Sequence, residues 1–168
     1  LNNNSSASKT HVGTPATRIL EQIGVPYEIH AYTHDPAVRS FGAEASAKLG
    51  VEPHRVFKTL LIKVDDDLVV AILPVSSQLD LKALASAHGG KKAHLAGVAE
   101  AERRTGYVVG GMSPLGQRQT SPTVLDMSAL DFQRILISGG RRGLDIELAP
   151  NDLVMLTNAH VARIARPD

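Results

Sequence analysis

Apolar residues along this chain recur at two spacings, and turn-forming residues separate one run from the next. Thr14 can cap a helix, Pro15 suits its first position and Gly24 its stop, with Pro26 shortly beyond. Between them Ile19, Leu20 and Ile23 make an apolar stripe at helical spacing. Residues Tyr27 to Tyr32 read as a strand that leads into a turn at His34 to Pro36, and a second helix fits Phe41 to Leu49, stopped by Gly50. Val56 to Val64 reads as the first long strand. Asp65 to Asp67 form its turn, and Leu68 to Leu73 return as the hairpin partner. Asp80 caps a predicted helix through His88, which Gly89 and Gly90 end, and Val98 to Arg104 predicts another, ended by Gly106. Strand-like pieces follow at Tyr107 to Val109, Thr123 to Leu125, Arg134 to Ile137 and Leu144 to Leu148. Pro150 opens a helix to about Thr157, and Val161 to Ala165 predicts a last short strand.

Strands and helices are interleaved but hairpins sit among them, which calls for a mixed sheet rather than an all-parallel one. With 168 residues and 43% hydrophobic content, the chain can bury one real core, and two would each be marginal. The expected class is therefore one α/β (α+β) domain over residues 13–168. The Asn/Ser-rich stretch before it, residues 1–12, lacks periodicity and reads as a disordered tail. The formal net charge is +1, so an RNA ligand would be held by a local patch, a shaped pocket or a partner rather than by bulk charge. Cysteine is absent, which removes disulfides, Cys-ligated zinc and a protein thiol nucleophile. There is no apolar run near the ~20 residues that cross a bilayer and no signal-like start, so the expected compartment is the cytoplasm, away from membranes.

Candidate chemistry starts with Lys58. Alternate strand residues share a face, which puts this ammonium in line with Val56, Leu60, Ile62 and Val64. Burying it unpaired would cost several kcal/mol, so it either meets an acceptor and snorkels, or lines a ligand cavity. Two glycine-rich segments, Gly110 to Gly116 and Ser138 to Gly143, follow apolar strand-like pieces. Each is a plain turn or a place where backbone N–H groups approach a ligand. Neither matches a phosphate-binding or dinucleotide fingerprint, and no cofactor is expected. Arg118, Arg141 and Arg142, with Lys91, Lys92, Arg103 and Arg104, are candidate phosphate contacts if they gather on one side. His30, His34 and Asp35 share a face only in a helix, whereas this stretch reads as strand and turn, so no metal is expected. A Gly-x-Ser-x-Gly nucleophile signature is missing.

Taken in order, four segments resemble the YbaK family. They are Val56 to Leu61, Gln78 to Lys82, Thr105 to Gly116 and Ser138 to Leu148, within a similarity that spans roughly Thr14 to Arg166. The resemblance implies a mixed, mostly antiparallel sheet curled into a partial barrel with flanking helices. It also implies hydrolysis of the ester in mischarged Cys-tRNA(Pro) by a free-standing editing enzyme. The family's functional lysine falls on Lys58, followed by Thr59. Its aromatic pocket positions fall on Tyr32 and Phe41, its oxyanion-side glycine on Gly110, and its serine and aspartate on Ser138 and Asp145. Gly111 is expected beside Gly110 as a donor, and Ser113, Gly139 and Gly140 in substrate binding. The segment Gln117 to Thr120 is less basic than the family pattern.

Lys58 would hold the tRNA end, glycine N–H groups the developing oxyanion, and the substrate's own thiol would attack the ester. Water near Ser138 and Asp145 is the alternative nucleophile. Alanyl-tRNA(Pro) is the alternative substrate, because small apolar pockets separate close analogues poorly. A non-catalytic module that binds tRNA ends or a synthetase is the alternative class. Modest charge also suggests prolyl-tRNA synthetase as a partner.

Overall fold

The computed structural model describes residues 13–167, so the expected tail at residues 1–12 lies outside the described residues. Helix ends fall where the caps put them. In α1 (Pro15–Ile23) the Thr14 hydroxyl oxygen accepts from the Thr17 N–H, and Thr17 reciprocates toward the Thr14 N–H. Helices α2 (Phe41–Leu49), α3 (Leu81–His88), α4 (Val98–Thr105) and α5 (Pro150–Thr157) follow. Asp80 caps α3 by accepting from the Ala83 N–H at 3.0 Å.

The strands are β1 (Glu28–Ala31), β2 (Phe57–Val64), β3 (Asp67–Pro74), β4 (Ser77–Leu79) and β5 (Ala93–Leu95), then β6 (Thr123–Asp126), β7 (Ile135–Arg141), β8 (Leu144–Leu148), β9 (His160–Ala162) and β10 (Ala165–Pro167). They form three sheets ordered β5-β2-β3-β6-β9, β1-β8-β7 and β10-β4. Among the strands of the described residues only β3–β6 and β6–β9 pair in parallel, so the architecture is the expected mixed, mostly antiparallel α+β domain. The strands do not close into a barrel. Between the two larger sheets, Val56 and Leu136 make one isolated parallel bridge, and no other is found among the described residues.

Three local expectations need correction. Tyr107 to Val109 is not a strand: no strand among the described residues pairs with it, and Tyr107 is buried with its hydroxyl donating to the Leu115 carbonyl at 2.6 Å. Val161 to Ala165 is two strands in two sheets. The chain changes sheet at Ile164, where the Asp126 carboxylate accepts from the N–H groups of Ile164 and Ala165, each at 2.9 Å. Gly139 and Gly140 belong to β7, as a bulge between Ser138 and Arg141, rather than to a free loop. Short β4 and β5 were not anticipated.

The sheet of β2 and β3 is covered on both faces. Phe57, Leu61, Val70 and Ile72 join the larger core, while Ile62, Val64, Val69 and Ala71 join a second one against α3. Lys58 therefore lies on the face of Leu60, Ile62 and Val64, as alternation requires, and Val56 departs to pack with Leu136 and Ala45.

Candidate active site

The cavity opens where the two larger sheets part. Strand β5 pairs with β2 only from Ile62 to Val64, which leaves the earlier half of β2 facing a cavity of about 400 Å³. From the Val56–Leu136 bridge, two residues along each strand lead to Lys58 on one side and Ser138 on the other. Both line the cavity. Asp145 stands opposite Ser138 in the β7–β8 register and lines it too, together with Tyr32, Phe41, Thr59 and Gly110. Residues far apart in sequence, expected as one site, thus share one volume.

Their environments differ. The Lys58 ammonium donates to the Ser77 carbonyl at 2.8 Å. The strand register explains that acceptor: the Asp80 N–H bonds the Ile164 carbonyl, and ladder alternation then turns the Ser77 carbonyl away from β10. Lys58 thus both meets an acceptor and lines the cavity. Asp145 is 6% exposed, and burial pushes its carboxyl up to about 7. Tyr32 is raised to about 12, first by burial and then by the nearby Asp145 charge, so its hydroxyl stays protonated. The Thr59 hydroxyl oxygen is buried and has no hydrogen-bond partner among the described residues. A bound polar group would satisfy it.

Other expected residues lie outside the cavity lining and make contacts within the fold. The Gly111 N–H donates to the Val108 carbonyl at 2.9 Å and Gly111 does not line the cavity, so of these two glycines Gly110 alone lines it. A Cβ on Gly111 would sit 2.7 Å from the Arg141 Cα, which shows why glycine stands there: the two glycine segments touch backbone to backbone. Gly140, at φ 105°, lies against Tyr107 and Thr14, and the Thr14 hydroxyl donates to the Gly139 carbonyl at 2.6 Å. Ser113 is fully buried and its Oγ accepts from the Leu115 N–H. Arg118 packs beside Gly106, away from the cavity, and Arg141 lies against Gly111 through its backbone. Arg142 reaches the rim: its guanidinium sits 4.8 Å from the centre of the Phe41 ring and donates to the Val109 carbonyl. Arg104 is engaged with Ser121, Gln119 and Thr120.

The histidines separate. His34 Nδ1 lies 2.6 Å from Glu44 Oε1, whereas His30 Nε2 lies 3.4 Å from Glu147 and 3.9 Å from Glu28. Glu28, His30 and Glu147 are close enough to share an ion, but Arg55 and Arg134 already pair with the two carboxylates, at 3.2 and 3.6 Å. Glu44 went unnoticed in the sequence because a lone acidic residue on a short helix reads as a solvated face. Apolar lining from Leu95, Val98 and Met112 was likewise indistinguishable from ordinary core.

The model of the aminoacyl-tRNA editing domain family matches residues 35–156. The chain belongs to that family. The matched span holds every expected cavity residue except Tyr32, which lies just before it. An Enterococcus faecalis protein, EbsC, assigned as a Cys-tRNA(Pro)/Cys-tRNA(Cys) deacylase, is 40% identical over 159 residues, covering 93% of this chain and 95% of that one. The crystal structure of a hypothetical protein, APE2540, superposes with a TM-score of 0.82 at 25% identity, over 91% of this chain and all of the other. A crystal structure described as a trans-editing enzyme for prolyl-tRNA synthetase superposes at 0.79 with 24% identity, over 92% and 99% of the two chains. That second likeness is one of fold. Among the described residues, no helix is long and apolar enough to cross a membrane.

Proposed function

We propose that this editing-domain protein is an aminoacyl-tRNA deacylase that removes cysteine from mischarged Cys-tRNA(Pro) in the cytoplasm, acting apart from the synthetase that made the error. The observation that carries the reading is the placement of Lys58, Ser138 and Asp145 around one cavity, in a chain 40% identical to EbsC. A cavity of about 400 Å³ lies in the range of small-molecule sites and has room for an aminoacyl group with its ribose.

The ammonium of Lys58 holds the terminal ribose or phosphate, and Tyr32 and Phe41 flank the amino-acid side chain. Ester cleavage needs a nucleophile, and the protein has no cysteine to supply one. The substrate thiol attacks its own ester carbonyl: the sulfur–carbon bond forms, the carbon–oxygen bond to the ribose breaks, and the ribose oxygen takes a proton. Water then opens the cyclic thioester to free cysteine. Gly110 stabilises the developing oxyanion through its N–H. Asp145, which burial holds near 7, accepts the thiol proton in its ionised form, with Ser138 beside it.

Release of cysteine, serine and alanine from tRNA(Pro) measured in parallel tests this route. Cysteine release at least a hundredfold faster than serine release is expected, because serine is isosteric but lacks the thiol. Equal rates would mean that water is the nucleophile. Prolyl-tRNA synthetase supplies part of the RNA selection, since a net charge of +1 gives little non-specific grip. Co-sedimentation of the protein with synthetase and tRNA is expected, and separate boundaries would remove the partner from the account.

A further inference from the structure

Two of the aromatic residues that line the cavity, Tyr32 and Phe41, come from different elements, and one buried carboxylate ties them together. Tyr32 leads into the segment 33–36, while Phe41 opens α2. Glu44 lies one helical turn after Phe41, with its side chain 3% exposed. One oxygen sits 2.6 Å from His34 Nδ1; the other accepts from the Asp35 N–H at 2.9 Å and lies 3.5 Å from Lys48 Nζ. Lys48 itself donates to the Thr33 carbonyl. Apart from the Glu44–Lys48 pair, which lies within α2, these contacts join α2 to the segment that follows Tyr32. The His34 ring stands 5.7 Å from the Phe41 ring, so the clamp also braces Phe41 from behind. On its other flank the Tyr32 N–H donates to the Gly143 carbonyl at 2.9 Å, next to Arg142, which covers Phe41.

We propose that Glu44, acting through His34 and the Asp35 N–H, sets the spacing between Tyr32 and Phe41 and thereby limits the size of amino acid the cavity admits. It is a positioning residue for specificity and rests on the deacylase reading. A helix that carried Phe41 without this tie would be free to shift relative to Tyr32, and a wider gap admits a larger side chain.

The test is the ratio of kcat/KM for Cys-tRNA(Pro) to that for the larger, correctly charged Pro-tRNA(Pro). Glu44→Ala is expected to lower it at least tenfold, with Glu44→Gln retaining most of it because an amide oxygen still accepts from Asp35. Leu153→Ala, which opens the core under α5 away from the cavity, is expected to lower the melting temperature and leave the ratio alone. A ratio within twofold of the parent in folded Glu44→Ala would overturn the proposal. If Glu44→Ala does not fold, Lys48→Met decides: Lys48 is 38% exposed, and a fall of about threefold is expected, with no change counting against the idea. Fluorotyrosine in place of the three tyrosines gives a readout independent of turnover. If the parent protein cleaves neither ester, the substrate reading fails. The Tyr32 fluorine resonance then still decides: displacement in Glu44→Ala upholds the positioning role, and an unmoved signal removes it.

Discussion

The two sides of the cavity are made rigid by different means. On one side, residues 32–36 and α2 are held by charge and hydrogen bonds centred on the buried Glu44. On the other, the segment after α4 and the β7–β8 turn are held by close approaches that only glycine permits, to backbone at Gly111 and to the Tyr107 and Thr14 side chains at the Gly140 bulge. The first kind of wall depends on protonation and tolerates isosteric change. The second ignores pH and tolerates almost no added volume. Their difference teaches that a glycine-rich segment at a site need not be a ligand cradle: here Gly111, Gly139 and Gly140 build the wall, and Gly110 alone of the four lines the cavity.

The steric wall should break most sharply. Gly111→Ala sets a methyl group against the Arg141 and Arg142 backbone, which has no flexible end to move. It is expected to cost about 3 kcal/mol and roughly 10 °C of thermal stability, read by calorimetry. Asp145→Asn should act in the opposite direction. The folded carboxyl keeps its proton up to about 7, while an unfolded chain ionises it near its ordinary value of 3.8. Stability therefore falls as pH rises between those values, by an amount on the order of a few kcal/mol. The amide cannot ionise, so the variant should melt several degrees higher than the parent at pH 8 and level with it at pH 4. It should also lose the inflection near 7 in the rate of cysteine release.

The electrostatic wall has the reverse pH dependence. Glu44 titrates below its usual range, chiefly because of the His34 hydrogen bond. Its contribution is complete above the ordinary carboxylate pKa and is lost as pH falls through the lowered one. Glu44→Gln should flatten the acid limb of a stability–pH profile, melting below the parent at neutral pH and converging with it as pH falls. The smallest effect belongs to Arg142→Ala, an exposed cation over Phe41, at about 1 kcal/mol or less.

Much of the fold was legible in the chain because caps and turns are local chemistry. Thr14, Asp80, Gly24 and Gly50 act where their side chains or left-handed backbone require. The β2–β3 hairpin was legible for the same reason, from Asp65 turning between two apolar runs. Elements that depend on distant partners were not. Ala93–Leu95 becomes a strand only because β2 offers it an edge, and Tyr107 to Val109 has strand composition but no edge to join. Lys58 stood out as a charge among aliphatics. Its acceptor did not, since the Ser77 carbonyl carries no sequence signal. Glu44 shows the same limit: a carboxylate's burial is a property of the packed elements around it.

Single-turnover release of cysteine from Cys-tRNA(Pro), by the parent protein and by Lys58→Ala, tests the central claim most directly. The account predicts rapid release by the parent and a loss of at least a hundredfold in the variant, with the fold intact by circular dichroism. Undiminished release by a folded Lys58→Ala would place the chemistry somewhere other than the cavity between the two sheets.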